Sequence, residues 1–304
     1  MTRIVFLGTP DAAVPTLDLL ADRFEVGLVV TQPDRPRGRS GTPQPPPIRV
    51  RAEELGISIV QPERRSEIAS AISYAGGFDL GVVVAYGMIL DSEVLTLPAA
   101  GLLNVHFSLL PRWRGAAPVQ RALMAGDSMT GVTIIKLDEG LDTGPVLTAQ
   151  AVDIQPGENA GRLTDRLARL GARLVASVIP GYLSGEVDPV PQSDEGASYA
   201  HKLTSDDRPL DISGTPADFV ARVRGLAPDP GATLEIDGEP HKILDARQVD
   251  WAPEHGTWAA HHDVPVVSVG EGGVELLELQ PPGKNPRPGA DWIRGQRRSR
   301  GTAS

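Results

Sequence analysis

The sequence predicts an α/β protein of two domains, in which a doubly wound, mostly parallel sheet precedes a small antiparallel β-barrel or sandwich. Short apolar runs rich in β-branched residues alternate with helical patterns through the first half of the chain, as they do in parallel sheets. Short strand patterns separated by turns dominate the final third. The length of 304 residues exceeds the usual size of one domain. We therefore expect a first domain over residues 1–188, a linker over 189–208 and a second domain over 209–304.

The first domain begins with four predicted strands and two predicted helices. An apolar stripe at helical spacing from Val14 to Phe24 indicates one helix, and the segment from Ile48 to a terminating glycine, Gly56, indicates another. Right-handed crossovers through such helices produce a doubly wound sheet. The predicted strands run from Arg3 to Leu7, Glu25 to Val30, Ile57 to Val60 and Asp79 to Ala85.

Two further strands and a long helix complete the prediction for the first domain. The strands Thr130 to Leu137 and Val146 to Ile154 flank an acidic loop, and leucines at helical spacing from Leu163 to Leu174 mark an amphipathic helix. We expect this helix to end around Ile179-Pro180, because proline lacks the N–H that a helix interior needs. The stretch from Ser184 to Asp211 is rich in Gly, Pro and Ser, which is typical of an interdomain linker.

The second domain is predicted to start with one helix and to continue as strands. Thr215 is a capping residue, Pro216 suits the first helical position and Asp218 is an acid in the first turn, so a short helix to Gly225 is expected. Only strands are predicted after it. They run from Ala232 to Ile236, His241 to Val249, Val264 to Val269 and Val274 to Leu279, with turn signals such as Asp237-Gly238 between them.

Composition narrows the range of functions. The chain has no cysteine, which excludes disulfides, thiolate nucleophiles and cysteine-based metal sites. No signal-peptide core or membrane-length apolar run is present, so we expect a soluble, cytoplasmic protein. A net charge of −10 and a pI near 5.1 argue against a dedicated nucleic-acid binder. Two local basic clusters, Arg35 to Arg51 and Lys284 to Arg300, are either phosphate-binding sites or a solvated loop and tail.

The ligands of doubly wound sheets bind outside the carboxyl ends of the strands. The first such turn, Gly8-Thr9-Pro10-Asp11, lacks the Gly-x-Gly-x-x-Gly fingerprint, which disfavours a dinucleotide there. Two other segments, Tyr86 to Leu90 and Asn104 to Pro111, also follow predicted strands. Asn104 and His106 are two residues apart and should point to the same side of the sheet.

A carboxylate in the acidic loop Asp138-Glu139-Gly140-Leu141-Asp142-Thr143-Gly144 completes a possible site. If Asp142 lies beside the imidazole of His106, its charge fixes the tautomer and favours protonation of the ring, which makes His106 a strong hydrogen-bond donor for an oxyanion. An amide, an imidazole and a carboxylate together stabilise a tetrahedral oxyanion and move one proton without a metal, which indicates acyl transfer. Spacing alone does not place Asp142, and a structural role for a lone histidine at a strand end is the alternative.

These residues belong to a longer pattern. The run Ser108-Leu109-Leu110-Pro111-Arg112-Trp113-Arg114-Gly115-Ala116-Ala117-Pro118, taken with Asn104, His106 and the acidic loop, resembles the formyltransferases that use 10-formyltetrahydrofolate. Within that family, the likeness is closest to members that formylate methionine carried by initiator tRNA. Phe107 is a departure, since a smaller residue is more usual there, and its bulk is expected to repack the pocket wall. The likeness extends over nearly the whole chain, through Phe6-Leu7-Gly8-Thr9-Pro10-Asp11, Thr31-Gln32-Pro33-Asp34-Arg35-Pro36, Ala85-Tyr86-Gly87 and Leu279-Gln280-Pro281-Pro282-Gly283-Lys284.

The resemblance implies a Rossmann-like catalytic domain, an OB-like tRNA-binding domain and a monomeric enzyme without metal. It also implies a catalytic trio of Asn104, His106 and Asp142: the methionine α-amine attacks the formyl carbon, the first two residues hold the oxyanion, and Asp142 assists proton transfer. The implied folate pocket comprises Val84, Tyr86, Gly87, Met88, Ile89, Leu90, Ser108, Leu109, Leu110, Pro111, Asp138 and Gly140.

The resemblance further implies two regions that contact tRNA. The loop Pro33 to Pro47 corresponds to a family insertion near the acceptor stem, where Arg39 matches the arginine that probes the first, mispaired position. The residues after Arg39, Ser40-Gly41-Thr42-Pro43, depart from a more lysine-rich version of this loop. Phosphate contacts from the second domain are expected to make tRNA affinity depend on salt. The implied tRNA-binding residues are Arg35, Arg37, Arg39, Lys242, Arg247, Lys284 and Arg287.

Four alternatives remain on sequence grounds. The same trio serves formyltransferases that act on a sugar-nucleotide amine and formyltetrahydrofolate hydrolase domains. A catalytically silent RNA-binding module is disfavoured by the intact trio, and a nucleotide-dependent dehydrogenase is disfavoured by the missing glycine fingerprint. The predicted linker, barrel and arginine loop favour tRNA as the substrate.

Overall fold

The computed structural model describes residues 1–36, 41–296 and 298–304. Within them the chain forms two compact units, and the second includes two short segments that precede the end of the first unit in the sequence. The predicted domains are continuous segments, and their boundaries stay a prediction. The first unit comprises Met1–Pro118, Thr130–Val152 and Thr164–Ala200, and the second comprises Val119–Met129, Asp153–Leu163 and His201–Ser304.

The chain up to residue 200 alternates between strands and helices. All of these elements belong to the first unit except α5 beyond Pro118, the ends of β9 and β10, and the first residues of α6. In order, the elements are β1 (Arg3–Gly8), α1 (Val14–Arg23), β2 (Glu25–Val30), β3 (Arg35–Pro36), β4 (Pro43–Gln44), α2 (Pro47–Glu54), β5 (Ile59–Val60), α3 (Ile68–Tyr74), β6 (Leu80–Val84), α4 (Ser92–Thr96), β7 (Leu102–His106), β8 (Arg114–Gly115), α5 (Pro118–Met124), β9 (Met129–Lys136), β10 (Val146–Asp153), α6 (Ala160–Ser184) and β11 (Tyr199–Ala200).

The main sheet of the first unit has the strand order β10-β9-β7-β6-β1-β2-β5 among the described residues. β1 pairs in parallel with β2 and β6, β6 with β7, and β2 with β5, whereas β7 and β9 are antiparallel. The predicted mostly parallel α/β fold is therefore confirmed. The strands of this sheet that follow β1 in the sequence, β2 and β5, lie on one side of it, and the later strands from β6 onwards lie on the other. The topological switch point is therefore between β1 and β6, and such sheets bind ligands at the carboxyl ends of the strands there.

Both faces of this sheet are buried. On one face, Val5 and Leu7 of β1 share an apolar core with Ile68 and Ile72 of α3. On the other, Val105 of β7 approaches α6 so closely that a Cβ on Gly171 would lie 2.4 Å from its Cγ1. Successive residues of β7 thus face opposite layers.

The second unit is built around an antiparallel sheet. Its described strands have the order β12-β13-β16-β15-β14-β18, with β17 paired to β16. The sheet curls into a half-barrel, and its outer strands meet at a bridge between Ile236 and Ala303. The predicted small antiparallel barrel is confirmed. The elements are α7 (Pro216–Leu226), β12 (Ala232–Ile236), β13 (Glu239–Val249), β14 (Thr257–His261), β15 (Val264–Val269), β16 (Gly272–Gln280), β17 (Arg287–Pro288), α8 (Gly289–Arg294) and β18 (Arg300–Thr302).

Two tryptophans lie at the centre of the barrel core. The Trp258 and Trp292 rings meet edge to face with their centroids 4.9 Å apart. The indole N–H of Trp258 donates to Asp237 Oδ2 at 3.2 Å, so burial leaves no polar atom of this ring unpaired. Phe219 and Val223 of α7 pack against the same core.

Three helical predictions were incomplete. α6 continues through Pro180 to Ser184, because the buried side chains of Val175 and Ile179 hold it where proline removes one backbone hydrogen bond. α8 follows β17 although only strands were predicted there. The short helices α3, α4 and α5 were not predicted, since each is too brief to repeat an apolar stripe. No helix among the described residues is long and apolar enough to cross a membrane.

Candidate functional site

β7 carries two of the predicted catalytic residues to the ligand-binding edge of the sheet. Asn104 and His106 share one face of the strand, and Val105 between them points to α6. The His106 side chain is only 5% exposed, so its ring must be held by polar partners. The strand ends at His106, directly beside the switch-point turns.

The loop between β9 and β10 brings Asp142 to the same place. Asp142 Oδ1 accepts a hydrogen bond from the Asn104 amide at 3.4 Å, and Oδ2 accepts one from the Gly115 backbone N–H at 2.8 Å. Oδ2 also lies 3.6 Å from Nδ1 of His106. The structure therefore brings the three predicted catalytic residues together.

The hydrogen bond from the other ring nitrogen fixes the orientation of His106. Nε2 lies 2.9 Å from the backbone carbonyl oxygen of Trp113. A carbonyl only accepts, so Nε2 carries a hydrogen and Nδ1 is the ring nitrogen that faces Asp142. The site thus presents an amide, a ring nitrogen and a carboxylate in one cluster.

Gly115 has a conformation and a close contact that require glycine. Its φ is +116°, outside the range that L side chains readily adopt. A Cβ there would also lie 2.8 Å from the carbonyl oxygen of Ala200. This backbone directs the Gly115 N–H at the Asp142 carboxylate.

A cavity of about 360 Å³ opens beside the trio. Its walls are mostly apolar, and the turn after β6 and the loop before β10 form much of them. Of the predicted folate-pocket residues, Tyr86, Gly87, Met88, Ile89, Leu90, Asp138 and Gly140 line it. The other lining residues are Val83, Ala85, Leu95, Asn104, Val105, His106, Phe107, Gly115, Ala116, Pro118, Leu137, Glu139, Leu141 and Asp142.

The remaining predicted pocket residues, Val84 and Ser108 to Pro111, do not line this cavity. Strand alternation points Val83 into it, so Val84 faces the opposite layer. Thr133 of β9 donates to the Ser108 carbonyl at 2.7 Å and accepts from the Leu110 N–H at 3.1 Å, which ties this loop to the sheet. A folate contact from these residues stays a prediction.

The turn after β6 is held by buried hydrogen bonds. Thr9 Oγ1 and Gln32 Nε2 donate to the Tyr86 carbonyl at 2.8 and 3.2 Å, while Ala85 has a φ of +46°. Burial raises the pKa of the Tyr86 phenol to about 12, so it stays neutral. That phenol has no hydrogen-bond partner among the described residues.

Sequence reasoning missed several residues of the site. Leu95, Leu137 and Leu141 form apolar walls, and only their proximity to the predicted motifs gave a signal. Gln192, in the predicted linker, donates to the backbone of the Asp142 loop. Phe107 lines the cavity, and its ring lies near Gly171 of α6, where an added Cβ would be 3.6 Å from it. Among the described residues no group of three or more His, Asp or Glu side chains is placed to hold a metal ion.

The candidate tRNA contacts fall into separate places. Register brings Lys242 of β13 beside Gln280, and Arg287 of β17 beside Leu279, so both cations lie at the same end of β16. Lys284 lies in the turn that follows, where its carbonyl accepts from Gln280.

The other candidates lie away from that group. Arg247 is further along β13, where its guanidinium pairs with Glu275 at 2.5 Å. In the first unit, the guanidinium of Arg35 donates to Gln32 Oε1 at 3.0 Å. Arg37 and Arg39 lie outside the described residues.

Comparison with known proteins gives the site its context. A family model described as Formyl transferase matches residues 2–179, and one described as Formyl transferase, C-terminal domain, matches residues 202–297. A methionyl-tRNA formyltransferase from Halorhodospira halophila is 48% identical over 302 residues, which cover 97% of this chain and 96% of the relative. One from Streptomyces griseus subsp. griseus is 44% identical over 307 residues, covering 98% of each.

Solved structures agree on the fold. The N-formyltransferase from Helicobacter canadensis, in complex with folinic acid and dTDP-3-aminofucose, matches with a TM-score of 0.71 at 16% sequence identity. The match covers 91% of this chain and 99% of that chain. At so low an identity the likeness concerns the fold alone. With a family model that matches more than half of the sequence and relatives nearly half identical along it, the chain is an enzyme of the formyl transferase family, among the methionyl-tRNA formyltransferases.

Proposed function

We propose that this enzyme transfers the formyl group of 10-formyltetrahydrofolate to the α-amine of methionine on initiator methionyl-tRNA, in the cytoplasm, for translation initiation. The observation that carries the proposal is the convergence of Asn104, His106 and Asp142 beside the cavity, where the Asp142 carboxylate lies 3.4 Å from the Asn104 amide and 3.6 Å from the His106 ring. The cavity suits a flat pterin ring, because Met88, Leu90 and Leu141 give it apolar walls.

The trio serves each stage of a direct transfer. Bound folate supplies the formyl carbon, and the neutral amine of methionine attacks it. The Asn104 amide donates a hydrogen bond to the oxygen that becomes negative in the tetrahedral intermediate. The Nε2 hydrogen of His106 is bound by the Trp113 carbonyl, so a hydrogen bond from this ring comes from Nδ1 when that nitrogen, which faces Asp142, carries a proton. Asp142 orients His106 and assists the proton of the attacking amine on its way to N10 of the folate as the carbon–N10 bond breaks. Because only the free-base amine attacks, the rate should fall at acid pH.

A formylation assay tests the substrate. Purified protein, 10-formyltetrahydrofolate and methionyl initiator tRNA are expected to yield formylmethionyl-tRNA, with methionyl elongator tRNA as a much poorer substrate. The elongator tRNA carries the same amino acid and so isolates recognition of the tRNA body. Formylation of a sugar-nucleotide amine without formylation of either tRNA would refute the proposal.

A further inference from the structure

The segment that follows α6 reaches back to the catalytic loop through one side chain. Gln192 donates both hydrogens of its amide, one to the Asp142 carbonyl at 2.8 Å and one to the Gly144 carbonyl at 2.7 Å. A primary amide has two N–H donors, so the donor capacity of this group is filled by the loop.

The oxygen of the same amide holds a buried cation. Gln192 Oε1 accepts from Nε and Nη2 of Arg114 at 3.2 and 3.0 Å. The Arg114 side chain is 3% exposed, and a buried guanidinium requires acceptors. Its Nη1 donates to the exposed carboxylate of Asp194 at 3.2 Å.

These contacts close a ring around Asp142. Gln192 links the carbonyl of Asp142 to the side chain of Arg114, and the next residue, Gly115, donates its backbone N–H to the Asp142 carboxylate. The side-chain amide of Gln192 therefore holds both the loop that carries Asp142 and the Arg114–Gly115 strand whose N–H binds the Asp142 carboxylate.

The Asp142 backbone needs such support. Its φ is +53°, which a non-glycine residue adopts at a free-energy cost that surrounding contacts must offset. The segment that carries Gln192 is anchored independently, because Val190 and Val146 exchange backbone hydrogen bonds of 2.7 and 2.8 Å. Loss of the amide alone leaves that anchor in place.

We infer that Gln192 is a positioning residue that sets the carboxylate of Asp142 against His106. The inference rests on the proposed function, because it concerns the catalytic role of Asp142. Displacement of a reacting group by about an ångström costs roughly a hundredfold in rate. Gln192 is thus expected to affect kcat far more than KM.

Steady-state kinetics of tRNA formylation test this role. Gln192→Ala is expected to lower kcat tenfold to about a hundredfold with little change in the KM for 10-formyltetrahydrofolate. Gln192→Glu keeps an acceptor for Arg114 but removes both donors to the loop, so kcat should fall similarly. Ser193→Ala is the matched control and should leave kcat unchanged, since that exposed hydroxyl accepts a hydrogen bond from the nearby Glu195 N–H and lies outside the contacts to the Asp142 loop.

A double variant separates positioning from a general structural role. On an Asp142→Asn background, Gln192→Ala should lower kcat little further, because the group it positions is already disabled. Full additivity, or wild-type kcat in both Gln192 variants, would overturn the inference. If Gln192→Ala does not fold, Gln192→Glu decides the question. An inactive wild-type enzyme would instead count against the proposed function.

Discussion

Asp142 shows how single residues acquire their role from distant parts of the chain. Its carboxylate meets Asn104 and the Gly115 N–H, and its carbonyl meets Gln192. Strand periodicity predicted that Asn104 and His106 share a face, because that relation is local. It did not place Asp142 or reveal Gln192, whose positions depend on loop backbone angles and contacts between remote segments.

Replacement of Asp142 by asparagine tests the charge at constant shape. Asp142→Asn keeps an oxygen for the Gly115 N–H but removes the negative charge beside His106 and the acceptor for a proton. We expect a fall in kcat of at least about a hundredfold, as for losses of comparable catalytic groups. Single-turnover formylation measures the effect, and circular dichroism checks the fold. Near-normal turnover in a folded variant would remove Asp142 from the mechanism.

At the scale of elements, strands were more predictable than short helices. β2 and β15 have the bounds that their β-branched runs predicted, Glu25–Val30 and Val264–Val269. α5 was missed, and within the second unit a side chain from it makes a tertiary ion pair. Arg121 donates to both carboxylate oxygens of Asp207 at 2.6 and 3.0 Å. Tertiary contacts of this kind stabilise a helix too short to be marked by periodicity.

The ion pair makes the stability of this element depend on pH. Hydrogen bonds from Arg121 hold the pKa of Asp207 below its usual range. A lowered folded-state pKa stabilises the protein above the unfolded-state pKa, and the contribution is lost as pH falls through the folded-state value. Asp207→Asn should therefore lower the free energy of unfolding by about 1–2 kcal/mol at pH 7.

Urea unfolding at pH 7 and near pH 2–3, below the usual pKa of an aspartate, measures the difference in unfolding free energy between Asp207→Asn and the wild type, which should narrow at the acid pH. Asp206→Asn is the control, since that neighbouring carboxylate is exposed and lies outside the ion pair. A difference that is equal at both pH values would show that the charge of Asp207 does not contribute.

For the whole molecule, the net charge argues against binding a polyanion, whereas the local charge favours it. The chain carries −10 overall, yet Lys242, Lys284 and Arg287 gather at one end of β16. A polyanion responds to the nearest charges, since more distant ones are screened within about 8–10 Å at ordinary ionic strength. Composition alone therefore missed a surface that only the sheet register assembles.

Removal of these cations tests whether this surface binds tRNA. The double variant Lys242→Ala, Arg287→Ala should raise the KM for tRNA and leave folate binding unchanged. In a plot of log KM for tRNA against log salt concentration, its slope should be lower than that of the wild type by about one to two, because fewer phosphates are neutralised. Arg23→Ala, which removes an exposed cation on α1, is the control. An unchanged salt slope in the double variant would exclude these residues from phosphate contact.

The interleaving of the two units has a consequence for how the protein is made. Residues 119–129 and 153–163 emerge from the ribosome well before residues 201–304, with which they form one unit. The second unit therefore cannot complete its packing until late in synthesis. A fragment cut at residue 200 would likewise separate Arg121 from Asp207, so transplanting the barrel into another protein requires both earlier segments to travel with it.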